Sequence, residues 1–313
     1  MNIYRDLNQT LPVKNAVVTT GSFDGVHIGH KTILNRLNDI AKDIGGESTL
    51  ITFHPHPRKI LYPETAGKEL KLISSQSEKI ELLRKVGLHN LIIVPFNIEF
   101  SKISSVDFIR NILVKKLHAH TVVIGFNHHF GHNREGDFEH LHELGKYYNF
   151  MVEEIPQQDI DNETVSSTKI REAIKEGRIQ RANAYLDHHY IIIGELCRTK
   201  TVLDTAGLPV YRVKIDEDVK LIPPEGVYAI SVSGNGIYLK GMLNISNPLR
   251  IPQPNGQEMV VELHLFDCEK DLTNETLMIS FHKRMRNEMN FNDAEQLITQ
   301  LNRDKEEINE LIY

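Results

Sequence analysis

The sequence predicts an α/β fold: a parallel, doubly wound sheet over residues 1–186, followed by a small antiparallel β-barrel with a terminal helix over residues 187–313. In the first half, short apolar runs alternate with amphipathic stretches of helix length, which is the pattern of successive β–α–β units. In the second half, short apolar runs are separated by turn residues, as in closed antiparallel sheets. A chain of 313 residues is also long enough for two domains.

The elements of the first half follow from the spacing of apolar residues. Strands are predicted where short apolar runs stop at turn-forming residues, at 16–19, 48–53, 91–94, 121–125 and 150–155. Helices are predicted where apolar residues recur every three or four positions, at 31–40, 78–86, 105–114 and 139–147. This alternation favours a parallel sheet with helices on its faces.

Composition excludes several classes of protein. The formal net charge of −6 gives no broad basic face, so no nucleic-acid partner is expected. Cys197 and Cys268 fit neither a metal-binding spacing nor a disulfide framework. The N-terminus lacks the apolar core of a signal peptide, and no apolar run reaches membrane-spanning length. We therefore expect a cytoplasmic protein with no membrane partner.

One motif organises the first half, between its first strand and its first helix. Residues 20–30 read Thr-Gly-Ser-Phe-Asp-Gly-Val-His-Ile-Gly-His. Unpaired backbone N–H groups at the helix start favour an anion, and the glycines allow a ligand to approach the backbone closely. His27 and His30 can hydrogen-bond a phosphate oxygen as charge builds on it. The segment resembles the His-x-Gly-His signature of nucleotidyltransferases; a pair of surface histidines is the alternative.

A second candidate site follows the second strand, at His54, Pro55, His56 and Pro57. The two prolines fix the backbone, so we expect a rigid loop that is neither helix nor central strand. Open α/β sheets bind ligands at this end of their strands. A substrate loop is therefore favoured over a plain turn with solvent-facing histidines.

A third candidate site is the polar, glycine-punctuated loop of residues 125–137. Asn127 can hydrogen-bond a phosphate or a ribose, and Phe126 or Phe130 can pack on a planar ring. Three histidines in five positions raise the question of a metal site. No acidic or thiol partner stands at ligand spacing, so no metal site is predicted.

A fourth candidate site begins at Ser166, Ser167 and Thr168. One of the serines is expected to cap a helix, whose hydroxyls and free N–H groups form an anion site. Arg171 lies one turn further on and can return its guanidinium to the same phosphate. Alone, this pattern is only a helix N-cap. Together with the first motif, it predicts two anion sites that hold a triphosphate.

These four motifs, in this order, resemble the FMN adenylyltransferase module of the bacterial bifunctional riboflavin kinase/FAD synthetase family. The resemblance implies a Rossmann-like nucleotidyltransferase domain that uses ATP, Mg²⁺ and FMN and forms FAD, with His27 and His30 as catalytic residues. The ATP-binding residues it implies are Gly21, Ser22, Phe23, Asp24, Gly29, Ser166, Ser167, Thr168 and Arg171. The FMN-binding residues it implies are His54, Pro55, His56, Pro57 and Asn127, the last standing where many relatives have aspartate.

The second half resembles the riboflavin kinase module of the same family. Barrel strands are predicted at 190–194, 227–230, 237–240 and 260–265, and the terminal helix at 293–312. The resemblance places Glu262 at the position of the catalytic base and keeps Arg286 in a segment like that of the family. With these residues in place, docking of a flavin on the barrel is expected.

One stretch of the second half departs from the family. Relatives carry a Gly-Phe-Pro-Thr-Ala-Asn motif whose threonine and asparagine bind Mg²⁺ and nucleotide phosphates. Here those two positions are Val210 and Arg212, and the glycines and arginine of the preceding loop fall on Thr199, Leu203 and Asp204. Valine offers no oxygen ligand and arginine only donates hydrogen bonds, so neither can bind a hard cation. We expect an inactive kinase site.

Three functions follow from these patterns. The main prediction is an FMN adenylyltransferase. The first alternative is a fully bifunctional enzyme that also phosphorylates riboflavin, with a residue such as Thr205 taking over in the altered loop. The second alternative is a non-catalytic regulator that binds flavin or nucleotide, which release of pyrophosphate would exclude.

Overall fold

The structure is a computed structural model that describes residues 1–9, 13–126, 129–155, 159–160, 163–199, 209–246, 259–291 and 293–312. The chain forms two compact units. The first contains residues 1–71 and 79–166, and the second contains residues 72–78 and 167–313. The sequence predicts a domain boundary after residue 186, between the α/β half and the barrel half of the chain. This boundary stays a prediction.

The first unit is built on a six-stranded sheet. Its strands are β1 (Asn2–Tyr4), β2 (Val17–Thr20), β3 (Ser48–His54), β4 (Asn90–Pro95), β5 (Thr121–Gly125) and β6 (Met151–Ile155). They pair in the order β1-β4-β3-β2-β5-β6, and every pair is parallel. All four residues of β2 are buried, as expected for a parallel sheet covered on both faces. The predicted parallel sheet is confirmed.

Helices and a short hairpin complete the elements between residues 28 and 186. They are α1 (Ile28–Asp43), α2 (Pro57–Leu61), α3 (Gln76–Lys85), α4 (Ile98–Ser101), α5 (Ser105–Phe108), α6 (Phe138–Tyr148), β7 (Asp159–Ile160), β8 (Glu163–Thr164), α7 (Ser167–Lys175) and α8 (Ile179–Leu186). Ser104 caps α5, which continues as a π-helix over Ile109–Val114. A buried apolar cluster, including Phe108, Ile109 and Ile112, packs this segment against the sheet.

The second unit contains a closed antiparallel barrel. Its strands are β9 (Tyr190–Thr199), β10 (Val210–Lys214), β11 (Gly226–Gly234), β12 (Ile237–Ser246), β13 (Val260–Leu265) and β14 (Thr276–Arg286). They pair in the order β10-β13-β12-β11-β14-β9, and β9 closes on β10. Tyr190, Tyr228 and Phe281 are fully buried, and both tyrosine rings lie about edge-on to Phe281. The predicted barrel is confirmed.

The terminal helix α9 (Ala294–Leu311) begins after its N-cap, Asp293. Its residues Leu301 and Ile308 pack with Val210 and Met242 in one apolar cluster of the barrel unit. One face of the barrel wall carries residues 210, 212, 262 and 264, which alternate along their strands with buried neighbours such as Leu263. Because Val210 packs under α9, this helix partly covers the face on which Glu262 lies.

Several elements were not predicted from the sequence. They include β1, α4, β7, β8, α8, β10 and β14. The expectation that the prolines after β3 exclude a helix was wrong. β3 extends to His54, and α2 begins at Pro57, since the first helical position needs no N–H donor and suits the fixed φ of proline.

Candidate active site

The residues 20–30 motif lies where the strand order of the first sheet reverses. From β2, the chain adds β3 and β4 on one side and β5 and β6 on the other. The carboxyl end of β2, beside β5, is therefore the switch point at which open α/β sheets bind ligands. The turn after β2 leads directly into α1, whose N-terminal N–H groups and dipole favour an anion there.

The turn of residues 21–26, called the β2–α1 turn below, has an unusual backbone. Phe23, Gly25 and Val26 have φ values of 46°, 82° and 43°. The left-handed region is rare for a β-branched residue such as Val26, which is fully buried. At Gly21, a Cβ atom would come within 3.0 Å of the Phe23 ring. The turn therefore holds a strained shape that its surroundings must maintain.

His27 and His30 lie together at the start of α1. His27 is the N-cap residue, so it precedes the helix, and its Nδ1 accepts a hydrogen bond from the backbone N–H of His30 at 3.4 Å. The two imidazole rings stack with centroids 3.6 Å apart, and the Phe23 ring lies 4.6 Å from that of His30. The two histidines of the motif therefore lie side by side at the start of the helix.

The surroundings keep His30 neutral. Burial lowers the pKa of His30 well below its ordinary value, and the nearby charges of His27 and Lys79 lower it further. Its buried Nδ1 has no hydrogen-bond partner among the described residues. A neutral imidazole with one uncommitted nitrogen suits hydrogen bonding to a ligand oxygen.

Lys79 is a residue of this site that the sequence did not reveal. It lies in the first half of α3, is 4% exposed, and donates from Nζ to the Ser22 carbonyl oxygen at 2.8 Å. Thr52, in β3, donates to the same carbonyl at 3.3 Å. A lysine in an amphipathic helix usually lies on the solvated face, and no motif marks this one. Asp24, in the same turn, is 1% exposed.

The predicted FMN-binding segment lies at the end of β3. His54 and Pro55 are exposed, whereas His56 and Pro57 are half-buried. His56 caps α2, with its Nδ1 accepting from the backbone N–H of Arg58 at 3.1 Å. This segment therefore contains a helix start, with two exposed residues before it.

An aromatic cluster adjoins the carboxyl ends of β3 and β4. The rings of Phe53, Phe96 and Phe100 lie 5.6–5.8 Å apart, centre to centre. Phe53 directly precedes His54, and Phe96 directly follows β4. A phenylalanine two residues beyond the predicted strand 91–94, after Pro95, was the available sequence signal, and it was missed.

The loop of residues 125–137 is held to the start of α5. The Glu135 carboxylate accepts from the Ser105 backbone N–H at 2.7 Å, which lowers the pKa of Glu135. A Cβ atom at Gly131 would meet the Ser105 backbone at 2.6 Å, so only glycine fits there. Phe126 is 52% exposed, whereas Phe130 packs on Phe108. Asn127 lies outside the described residues.

No metal centre accompanies this loop in the described part of the chain, where no group of three or more histidine, cysteine or acidic side chains is placed to hold an ion. In the fourth motif, Ser166 is the last residue of the first unit, and the residues from Ser167 onward belong to the second unit. There α7 begins at Ser167, immediately after Ser166, with Thr168 exposed and Arg171 half-buried one turn later.

One face of the barrel carries Glu262 together with Val210 and Arg212, the two residues predicted to stand at the metal-binding positions of the family. Val210 is 1% exposed and part of the apolar cluster under α9. Arg212 is exposed and lies directly opposite Glu262 in the β10–β13 ladder. The loop positions Leu203, Asp204 and Thr205 lie outside the described residues.

Two buried polar atoms on this face have no described partner. They are Oδ1 of Asn244, which lies opposite Glu262 in the β12–β13 ladder, and Nδ1 of His264. Burial lowers the pKa of His264 to about 4. Both atoms line the same face as Glu262, so polar groups remain there to meet a ligand.

Arg286 has a structural partner. Its Nε and Nη2 atoms donate to the Asp304 carboxylate at 3.0 and 2.7 Å, and Asp304 is 3% exposed. Nη1 donates to the Asn287 carbonyl oxygen at 3.1 Å. This bidentate ion pair fastens α9 to the end of β14.

Comparison with known proteins gives a consistent result over the whole chain. The FAD synthetase family matches residues 10–169, and the riboflavin kinase family matches residues 186–312. A bifunctional riboflavin kinase/FMN adenylyltransferase of Listeria monocytogenes is 32% identical, over 94% of this chain and 91% of the relative. The enzyme of that name from Bacillus subtilis is 30% identical over 93% of this chain and 91% of its own length. The one from Escherichia coli is 30% identical over 94% of this chain and 92% of its own length.

A crystal structure described as a macrolide-efflux protein from Streptococcus pneumoniae has a TM-score of 0.85, at 25% identity and 97% coverage of both chains. In the described residues of this chain, none of the helices has the length and apolarity needed to cross a membrane. The resemblance inferred from the four motifs is confirmed by the two family matches and by the curated relatives. This chain belongs to the family of bifunctional riboflavin kinases/FMN adenylyltransferases.

Proposed function

We propose that this protein is an FMN adenylyltransferase, which forms FAD and pyrophosphate from FMN and ATP. The observation that carries the proposal is the pair of stacked imidazoles, His27 and His30, at the start of α1 on the switch point of the sheet. The names of the relatives indicate the reaction. The two imidazoles and the N–H groups at the start of α1 are groups that can catalyse it. Mg²⁺ enters with ATP as part of the substrate.

In the proposed reaction, an oxygen of the FMN phosphate attacks the α-phosphorus of ATP. The bond to the β-phosphate breaks, and pyrophosphate leaves with its electron pair. Negative charge builds on the non-bridging oxygens of the α-phosphate as this happens. N–H groups at the start of α1 and the two imidazoles stabilise that charge, which is the largest contribution available to such an enzyme.

Other residues would bind the substrates. Ser167, Thr168 and Arg171 are proposed to hold the outer phosphates of ATP, by two hydroxyls, the N–H groups at the start of α7 and one guanidinium. The segment 54–57 and Asn127 are proposed to position FMN. The adjoining cluster of Phe53, Phe96 and Phe100 supports this assignment, because it offers apolar rings beside the segment for a planar flavin.

We also infer that the barrel does not phosphorylate riboflavin. The comparisons lend this no support, since the curated relatives are named as bifunctional. Its basis is the chemistry of the face: phosphoryl transfer needs a cation that bridges the nucleotide phosphates, and Val210 and Arg212 offer it no ligand. Glu262 and the unpartnered atoms of Asn244 and His264 leave flavin binding without turnover as the specific expectation.

Product analysis tests both statements in one experiment. The full chain is incubated with ATP and Mg²⁺ and with either FMN or riboflavin, and flavins and pyrophosphate are separated and quantified. We expect FAD and pyrophosphate in equal amounts from FMN, and no FMN or FAD from riboflavin. Binding of riboflavin to the full chain is measured in parallel by fluorescence quenching.

Two outcomes would contradict these assignments. A folded protein that binds ATP and FMN but releases no pyrophosphate would be a flavin- or nucleotide-binding regulator. FMN formed from riboflavin, lost in Glu262→Ala and kept in His30→Ala, would show that the barrel is an active riboflavin kinase and the protein is bifunctional.

A further inference from the structure

The β2–α1 turn needs an external support. Two of its non-glycine residues, Phe23 and Val26, have left-handed φ values, each of which raises the energy of the folded state. Such a backbone persists only when its surroundings fix it. Because His27 and His30 follow this turn immediately, whatever fixes the turn also fixes the two imidazoles.

Two side chains donate hydrogen bonds to the backbone carbonyl of Ser22, near the start of the turn. The Ser22 oxygen accepts from Lys79 Nζ at 2.8 Å and from Thr52 Oγ1 at 3.3 Å. The backbone N–H of Gly21 donates to the Ile51 carbonyl at 3.0 Å, continuing the sheet ladder for one more residue. The turn is thereby tied to β3 on one side and to α3 on the other.

Lys79 brings a positive charge to a place where charge is costly. The residue is 4% exposed, and a buried ammonium loses most of its hydration energy. Thr52 shows that a neutral side chain can also reach this carbonyl. A hydrogen bond to this carbonyl therefore does not require a lysine. The charge of Lys79 also lies close enough to His30 to lower the pKa of that histidine.

Among the described residues, the charges that act on His30 come from His27, the N-cap residue of α1, and from Lys79 on α3. Asp24 is buried in the same turn. The positive potential of Lys79 disfavours a proton on His30 and attracts phosphate oxygens, so it prepares the site for an anion while the imidazole stays neutral.

We propose that Lys79 is a positioning residue of the adenylyltransferase site: its ammonium fixes the Ser22 carbonyl, and with it the turn that carries both histidines, and places a positive charge at the phosphate-binding end of α1. This inference rests on the proposed function. It assigns a role to a helix residue that lies outside the four motifs.

Variants separate the charge from the hydrogen bond. Lys79→Gln keeps an N–H donor, on a side chain one bond shorter, and removes the charge, whereas Lys79→Met removes both. Lys85→Gln is the matched control, since Lys85 lies exposed at the end of the same helix. FAD formation is measured at saturating ATP over a range of FMN concentrations, which gives kcat and the KM for FMN. His30 is titrated by NMR in histidine-labelled protein.

We expect kcat to fall by about 10²-fold in Lys79→Met, the scale of losing one preorganised group. Lys79→Gln keeps a donor and should lower kcat by only about 10-fold. KM for FMN should change by less than about threefold, because the loss falls on the transition state. The pKa of His30 should rise in both variants. Lys85→Gln should alter none of these quantities.

The proposed function and this inference can fail separately. A folded wild type without FAD formation contradicts the function, and the His30 titration still tests the charge of Lys79. An active wild type whose Lys79→Gln variant keeps both kcat and the His30 pKa overturns the inference. Failure of both Lys79 variants to fold also overturns it, because the ammonium then serves the fold and not the chemistry.

Discussion

Buried lysine and histidine side chains occur in both units of this chain, in different surroundings. In the barrel unit, Lys220 is 2% exposed and donates to the Glu78 carboxylate at 2.6 Å and to the carbonyl oxygens of Ile73 and Ile191. Glu78 in turn accepts the backbone N–H groups of Ser75 and Ile193. In the first unit, Lys79 holds a carbonyl of a strained turn beside His30, whose Nδ1 has no described partner.

The comparison distinguishes two kinds of buried charge. Lys220 stabilises the fold, whereas Lys79 is proposed to prepare a binding site. The Lys220–Glu78 pair satisfies its own members and the backbone of residues 72–78, so a ligand would add nothing to it. The β2–α1 turn combines backbone strain, an uncommitted imidazole nitrogen and the free end of a helix. These features lower stability unless an anion binds, and they are typical of functional sites.

Lys220→Met is expected to have the largest effect, and on stability alone. It leaves Glu78 as an unpaired buried charge, which costs about 3–5 kcal/mol. The free energy of unfolding of the barrel unit is measured with denaturant. Lys214→Met is the control, since Lys214 pairs with Glu195 at 3.3 Å but its side chain is 64% exposed and the expected change is below about 1 kcal/mol. If Lys220→Met were as stable as Lys214→Met, the pair would not be structural.

His30→Ala is expected to have the next largest effect, on chemistry. The kcat for FAD formation should fall by about 10²-fold or more, equivalent to roughly 2.7 kcal/mol, because charge on the α-phosphate loses one donor. The dissociation constant of ATP should change much less. His142→Ala, on the exposed face of α6, serves as the control and should retain activity. Loss of ATP affinity with kcat unchanged would mean that His30 only holds the ground state.

Acid sensitivity of the barrel is the smallest expected effect. Burial lowers the pKa of His264 to about 4, below its ordinary value, so between these values the unfolded chain binds a proton that the folded chain does not. Stability is therefore fully present above about pH 6.5 and falls by roughly 2 kcal/mol by pH 4.5 on account of this group. Unfolding at pH 7 and pH 4.5 should show a smaller loss in His264→Gln than in wild type.

His282 is a second contributor to this acid sensitivity. Its pKa is also lowered to about 4, by burial and by the neighbouring His189. His264→Gln should therefore remove part of the loss, and the double variant with His282→Gln more of it. Equal losses in wild type and in both variants would show that neither buried histidine governs the acid response, and the barrel histidines would then be no different from exposed ones.

The sequence by itself determined the features whose causes are local. The alternation of strands and helices predicted the parallel sheet, and the turn-separated strands predicted the barrel. Eleven consecutive residues, 20–30, contain a strand end, three glycines and two histidines. The stacking of His27 on His30 follows from their spacing of three across a helix start. The family resemblance rested on such motifs, and it held.

Only the tertiary structure decided which distant groups meet. Ser22 and Lys79 lie 57 residues apart, and Glu78 and Lys220 lie 142 apart. Glu78 and Lys79 are neighbours in an ordinary amphipathic helix, so their sequence predicts two solvated charges, yet both are buried. Whether a charge is buried depends on packing between segments far apart in the chain. A periodicity of three or four residues carries no information about that packing.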